Sequence, residues 1–355
     1  IGNRITAAEL ADEIAYLANN LNQYTSIEKN TQTPFVPTFD DDGNQLTVQT
    51  ATGVWNVIYN AENRPITFTQ GTTVIECKYD SQGRRFEKKV TANGTVIFWQ
   101  RYTYKGYLQI AAFDVSIVNE TEVLSLATTT YWDPTEPTAT RPLAFTDYTV
   151  APPATYFYTH DLTKNVCEIL SRDGSAVSIT TTYDYTPFGA VTASNSATSN
   201  TFMFSSEVLD PETNLVYYNY RHYNPNDGRW ISRDPIAEQG GWNLYAMAKN
   251  NVNNFIDKDG LADIRIPMNG LTPPSGEPSP EFKNSLYKIV SAMKNKKCPE
   301  SFDCQTVCSE LYNSFSSSAF VNCVASCERG LGFPPVPVKK GIWEKVKDFF
   351  VNLFN

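Results

Sequence analysis

A unit of 20 residues recurs early in the chain and limits the fold more than any other feature. Phe39-Asp40-Asp41-Asp42-Gly43-Asn44, Tyr59-Asn60-Ala61-Glu62-Asn63-Arg64 and Tyr79-Asp80-Ser81-Gln82-Gly83-Arg84 align. Each pairs a closing aromatic with an Asp or Asn able to bond its own turn, then a Gly or Asn suited to positive φ. A strand-like run follows, such as Arg84-Arg85-Phe86-Glu87-Lys88-Lys89-Val90. One hairpin cannot bury its aromatic face alone, so successive units must stack into a continuous sheet. An ordinary β-meander with Gly turns is the plainer reading; the fixed period and the aromatic-Asp pairing favour a repeat. Weaker copies follow at Tyr158 to Asn165 and at Tyr183-Asp184-Tyr185-Thr186-Pro187-Phe188-Gly189.

Composition agrees with a β-rich body, since 20 Tyr, 20 Phe and 6 Trp are residue types that strands favour. A net charge of −9 argues against a nucleic-acid surface as the main business of the chain. No apolar run approaches the ~20 residues of a membrane-spanning helix. Trp132 to Pro142 is a Pro-punctuated loop to which no chemistry attaches. At Leu261 the texture changes. Residues 262–280 are Pro/Gly-rich and read as a linker. Residues 281–355 read as helical, with Phe282, Leu286, Ile289, Val290 and Met293 at spacings of three and four.

The most distinctive string is Tyr217 to Gly260, reading Y-Y-N-Y-R-H-Y-N-P-N-D-G-R-W-I-S-R-D-P, then G-G-W-N-L-Y and finally D-K-D-G. It resembles the RHS repeat-associated core domain, and the 20-residue units resemble the YD repeat. The resemblance implies a mainly β fold: YD-repeat hairpins over 1–190 continue a spiral shell, residues 191–261 form the core, and the variable C-terminal segment follows. It further implies that the core separates that segment by self-cleavage, as in toxin-complex C components. Arg221, Asp234 and Asp257 match the family's Arg and two Asp, which puts the cut between Leu261 and Ala262. Two close carboxylates cannot both ionise, so one serves as acid and the other activates water. An adjacent guanidinium tunes them or holds a carbonyl oxygen. All three are also ordinary turn residues. Lys258 departs from the family's Pro beside Asp257, and loss of that rigid residue loosens the loop.

Tyr217, Tyr218, Tyr220, Tyr223 and Trp230 read as packing aromatics, and His222 as a structural histidine. Cys77 and Cys167 read as small buried residues. In the tail, Cys304, Cys308, Cys323 and Cys327 form two CX3C pairs, each on one helical face. Folded as a hairpin they predict two disulfides, Cys304–Cys327 and Cys308–Cys323, with a four-Cys zinc site as the competitor. Cys298 is left over. The tail has no histidine, which removes His-dependent nucleases and hydrolases from its activities. Gly341 to Asn355 gathers Ile342, Trp343, Val346, Phe349, Phe350, Leu353 and Phe354 on one face, for packing on its own protein or for contact with a membrane interface.

No cofactor or metal constellation stands out. Partners expected from the resemblance are the chain's own upstream shell and an immunity or delivery protein, with no nucleic acid. The chain opens on Ile1, and Ile1-Gly2-Asn3-Arg4 reads as the end of an upstream repeat, so a C-terminal fragment of a longer protein is expected. A secreted or bacterial cell-surface location follows from the same likeness. A non-cleaving structural or adhesive surface protein is the alternative from another functional class.

Overall fold

A computed structural model describes residues 2–9, 12–134, 141–252, 255–257, 259–261 and 263–265. The described residues all fall within one compact unit, Ile1–Pro267. The four tail cysteines, the amphipathic segment from Gly341, Lys258 and Ala262 all lie outside the described residues.

Thirteen antiparallel strands, from Thr47–Thr50 to Val191–Ser196, pair strictly with their neighbours in sequence. The fold is therefore mainly β, as the repeats predict. Five turns along one end of this sheet share one geometry. In each, the capping residue (Asp40, Asn60, Asp80, Asp161 or Thr186) donates its N–H to the carbonyl four residues on. The residue before that acceptor adopts positive φ in every case: Gly43, Asn63, Gly83, Lys164 and Gly189. The side chain completes the turn, with Asp80 Oδ1 accepting from the N–H groups of Gln82 at 2.9 Å and Arg84 at 3.0 Å. Thr186 does the same through its hydroxyl. In the last copy Tyr185-Thr186, rather than Tyr183-Asp184, occupies the aromatic-cap position.

Successive turns are stapled to one another. Asn44 Nδ2 donates to Asn63 Oδ1 at 2.7 Å, Arg64 to the Gly83 carbonyl at 2.5 Å, and Arg84 to the Gly106 carbonyl at 2.7 Å. A second ladder runs behind the turns. Tyr59, Tyr79, Tyr104 and Tyr185 each donate a hydroxyl to a carbonyl of the preceding unit, those of Gln45, Pro65, Arg85 and Val166.

Alternation decides what the sheet buries. In Gly53–Tyr59, Trp55 and Val57 face inward while Val54 and Ile58 stay exposed. Trp55, Val57, Phe68, Ile75, Cys77 and Val90 pack against Leu215 and Ile231 of a four-stranded plug. Burial of each such large side chain contributes roughly 1.5–3 kcal/mol. The plug strands are Val208–Asp210, Leu215–Tyr218, Arg221–Asn224 and Arg229–Trp230. Their own core is aromatic, with Tyr218, Tyr223 and Trp230 fully buried. Tyr220 differs: it is half-buried at the seam, with its hydroxyl against that of Tyr107. A three-stranded sheet (Thr6–Glu9, Asp12–Ala18, Tyr24–Lys29) meets the plug where the Arg229 guanidinium stacks 3.9 Å from the Tyr24 ring centre.

Candidate functional site

The plug carries Arg221, Asp234 and Asp257 on three separate elements and brings them together. Arg221 opens a plug strand, Asp257 ends the short strand Phe255–Asp257, and Asp234 begins the turn that runs into Ala237–Gln239. Arg221 Nη2 lies 3.0 Å from Asp234 Oδ2 and 3.3 Å from Asp257 Oδ2, so both carboxylates share one guanidinium nitrogen. The guanidinium stacks 4.1 Å from the centre of the Trp230 ring, which fixes its plane. All three side chains are buried, at 2% exposed for Arg221, 8% for Asp234 and 1% for Asp257.

The chain leading to Leu261 is tied to the same groups. Asp257 Oδ1 accepts from the N–H of Asp259 at 3.3 Å, Gly260 at 2.8 Å and Leu261 at 3.2 Å. Arg221 Nε donates to the Gly260 carbonyl at 2.5 Å. Gly260 has φ +87°, and a Cβ there would meet Tyr218 Cβ at 3.1 Å and the Arg221 nitrogen at 3.3 Å. Glycine is therefore required by backbone and by space together.

Burial raises both acids above the ordinary carboxylate range; Arg221 and the backbone N–H groups pull the other way without cancelling it. Asp259 adds further negative charge beside both. A cleft of about 310 Å³, bordered by Glu62, Arg64, Tyr220 and Arg233, reaches Asp234. Two carboxyls holding protons above their usual range, one guanidinium and an adjacent peptide can perform acid–base chemistry on a carbonyl.

His222, next to Arg221, points elsewhere. It is buried, its ring lies 5.2 Å from that of Tyr217, and burial lowers its pKa to about 3. It belongs to a second charged cluster that the sequence reading missed. There Arg85 Nη1 and Nη2 hold Asp210 Oδ2 and Oδ1 at 2.5 and 2.9 Å, and Lys88 bridges Asp210 at 2.9 Å and Glu212 at 2.5 Å. One local mark exists but points to no partner: Arg85 takes the place after the turn that Pro65 fills one unit earlier, and Tyr59 and Tyr79 pair with these two residues across the sheet. Cys77 is buried in this region, while Cys167 is half-buried. Among the described residues no group of His, Cys, Asp and Glu is arranged to hold a metal. No helix among them is long and apolar enough to cross a membrane.

Comparison with known proteins bears on this architecture. The family described as teneurin YD-shell matches residues 151–256. Toxin subunit YenC2 of Yersinia entomophaga is 34% identical over 122 residues, covering 33% of this chain and 12% of the relative. The tRNA3(Ser)-specific nuclease WapA of Bacillus spizizenii is 26% identical over 273 residues, covering 73% of this chain and 10% of the relative. The solved TcdB2-TccC3 structure superposes with a TM-score of 0.53 at 20% identity, over 70% of this chain and 14% of that one. The chain thus spans a small part of the proteins it resembles, and the shared part is the shell. Repeated turns, stapled strands and these likenesses together make the chain similar to the RHS/YD-repeat proteins of toxin complexes.

Proposed function

We propose that this chain is the C-terminal part of an RHS shell whose core hydrolyses its own Leu261–Ala262 bond, freeing the segment beyond it. The carrying observation is the shared Arg221 guanidinium, with Asp234 and Asp257 on one nitrogen and Leu261 hydrogen-bonded to Asp257. In the reaction, one carboxylate takes a proton from water as the water oxygen bonds to the Leu261 carbonyl carbon. The other carboxyl gives its proton to the carbonyl oxygen. The tetrahedral species then collapses: the carboxyl that took the water proton passes it to the Ala262 nitrogen, the C–N bond breaks, the other carboxylate recovers a proton from a hydroxyl of the gem-diol, and the new Leu261 carboxylic acid ionises to solvent. One water is consumed and no other reagent is needed. Asp257 turns one oxygen to three backbone N–H groups, and Asp234 lies on the cleft.

The relatives support a carrier role for the shell. A toxin subunit and a tRNA nuclease share it, while the match covers only 12% and 10% of their lengths. Such a pattern fits a common container that holds different downstream segments. On this reading the described sheet continues an upstream shell that encloses the tail, the protein is secreted or presented at a bacterial surface, and an immunity or delivery protein is its partner.

The test is the intact mass of the purified protein over time. Cleavage turns the 39.8 kDa species into two fragments that meet at Leu261–Ala262. Asp234→Asn and Asp257→Asn are expected to leave folded protein with cleavage slowed by about 10³-fold or more. A folded wild type that stays whole makes the chain the non-cleaving structural protein that Lys258 favours. Equal cleavage in wild type and both variants would move the chemistry to other residues.

A further inference from the structure

Gly240 stands over Asp234 without any conformational need to be glycine. Its φ of −79° and ψ of −19° are open to every residue. Its surroundings are another matter. A Cβ at this position would lie 2.5 Å from Asp234 Oδ2, 3.0 Å from Asp234 Cγ and 3.1 Å from the Leu261 carbonyl oxygen. The first distance is closer than any Cβ tolerates. The turn that carries Gly240 starts on Asp234, with Ala237 N–H bonding the Asp234 carbonyl at 3.0 Å and Gly240 N–H bonding the Ala237 carbonyl at 3.1 Å. The turn therefore folds back over its own first residue, and the space left by the missing methyl borders both the Asp234 carboxyl and the Leu261 carbonyl oxygen.

We propose that Gly240 is a positioning residue of the self-cleavage site, its bare Cα letting the Leu261 carbonyl oxygen lie against the Asp234 carboxyl. The assignment rests on the protease reading above and adds a requirement to it. An alanine forces one of two movements. Either Asp234 Oδ2 leaves Arg221 Nη2, now 3.0 Å away, or the 259–261 segment withdraws. Both separate the acid from the carbonyl it serves. A misplacement of about 1 Å in such a pair costs on the order of 10²-fold in rate.

The experiment compares first-order self-cleavage of wild type, Gly240→Ala and Gln239→Ala, with thermal midpoints and pH–rate profiles. Gln239 is exposed beside Gly240 and serves as the control. Gly240→Ala is expected to cleave about 100-fold more slowly while still folded at the assay temperature, and Gln239→Ala to match wild type. The pH profile separates positioning from general damage. Asp234 is faced by Arg221 and Asp259, with Arg64, Arg233 and Glu62 around the cleft. Loss of contact with Arg221 removes an influence that lowers its pKa, so the Asp234 limb should move to higher pH. A slow variant with an unmoved limb and a lower midpoint overturns the proposal. If wild type cleaves and Gly240→Ala cleaves equally fast, the protease stands and Gly240 has no part in it. If folded wild type never cleaves, both fall together. If Gly240→Ala fails to fold, the double variant Asp234→Ala/Gly240→Ala removes the clashing carboxylate. Recovery of the Asp234→Ala midpoint supports the contact, and no recovery refutes it.

Discussion

The plug holds two buried clusters built on arginine, and their charges are balanced differently. At the seam with the shell, Asp210 is gripped by Arg85 and Lys88, and Glu212 also meets Lys88, so two cations serve two carboxylates. Burial would raise the Asp210 pKa, but its cations drive it far below the ordinary range. Opposing burial, Asp210 and Glu212 lift Lys88 to about 12. Asp210 and Lys88 therefore both stay charged around neutral pH. At the other cluster Asp234 and Asp257 share Arg221, and burial prevails in both. The same residue types thus give a static clamp when charges match and titratable acids when carboxylates outnumber the guanidinium.

The sharpest way to break this comparison is to neutralise one acid in each cluster and measure unfolding in urea. Asp210→Asn strands Arg85 and Lys88 without their counter-charge across the seam, and should lose about 3–5 kcal/mol. Asp257→Asn removes a carboxylate that burial already disfavours, so its loss should be well below that of Asp210→Asn. Similar losses in the two variants would mean that the charge ratio does not distinguish the clusters.

A smaller effect, with opposite signs, is expected in the pH dependence of the same variants. The folded pKa of Asp210 is depressed, so its contribution is present above the unfolded value of 3.8 and is lost as pH falls below it. Asp257 is raised, so the fold binds its proton more tightly than the unfolded chain does. Its contribution is present below pH 3.8 and is lost as pH rises through the folded pKa. Relative to wild type, Asp257→Asn should therefore gain stability as pH climbs from 3.8, and Asp210→Asn should regain stability as pH drops below it. Taking differences cancels the acid sensitivity of His160, whose pKa burial lowers to about 4; His222, lowered by burial to about 3, is coupled to Asp210 and adds to the Asp210→Asn difference. Parallel slopes in the two difference curves would remove the distinction.

How much of this could be read in advance depended on whether the physics was local. The Asp-x-x-Gly turns were legible because Asp40 and Asp80 satisfy their own backbone within five residues. The grouping of Arg221, Asp234 and Asp257 was legible only through the family likeness, since 36 residues separate Arg221 from Asp257 and no periodicity links them. The clamp was not, because Arg85 finds Asp210 across 125 residues and its strand looks like an ordinary charged one. Gly240 was hidden by its neighbour. The Gly240-Gly241 pair reads as a turn, and Gly241 does have φ +140°, whereas Gly240 is constrained by what sits over it. A steric demand set by how the turn closes over Asp234 and Leu261 leaves no mark in the residue types alone.

The smallest expected effect concerns the ladder of tyrosines, which contrasts with both clusters because its work is spread over many equal contacts. Tyr79 donates its hydroxyl to the Pro65 carbonyl at 2.7 Å, and Tyr59 makes the same bond to the Gln45 carbonyl at 2.9 Å one unit earlier. Tyr79→Phe keeps the ring in its packing and removes only the donor, leaving the Pro65 carbonyl without that bond. The net loss for one neutral hydrogen bond is about 1 kcal/mol. If each rung acts independently, Tyr59→Phe/Tyr79→Phe should lose the sum of the two single values to within ~0.5 kcal/mol, with an unchanged denaturant slope. A single loss of 3 kcal/mol or more, comparable to that expected on opening the clamp, would make the ladder a concentrated lock rather than a distributed one. A double variant losing far more than the sum would show that adjacent rungs hold each other in place, so that the shell unzips along its turns instead of yielding one unit at a time.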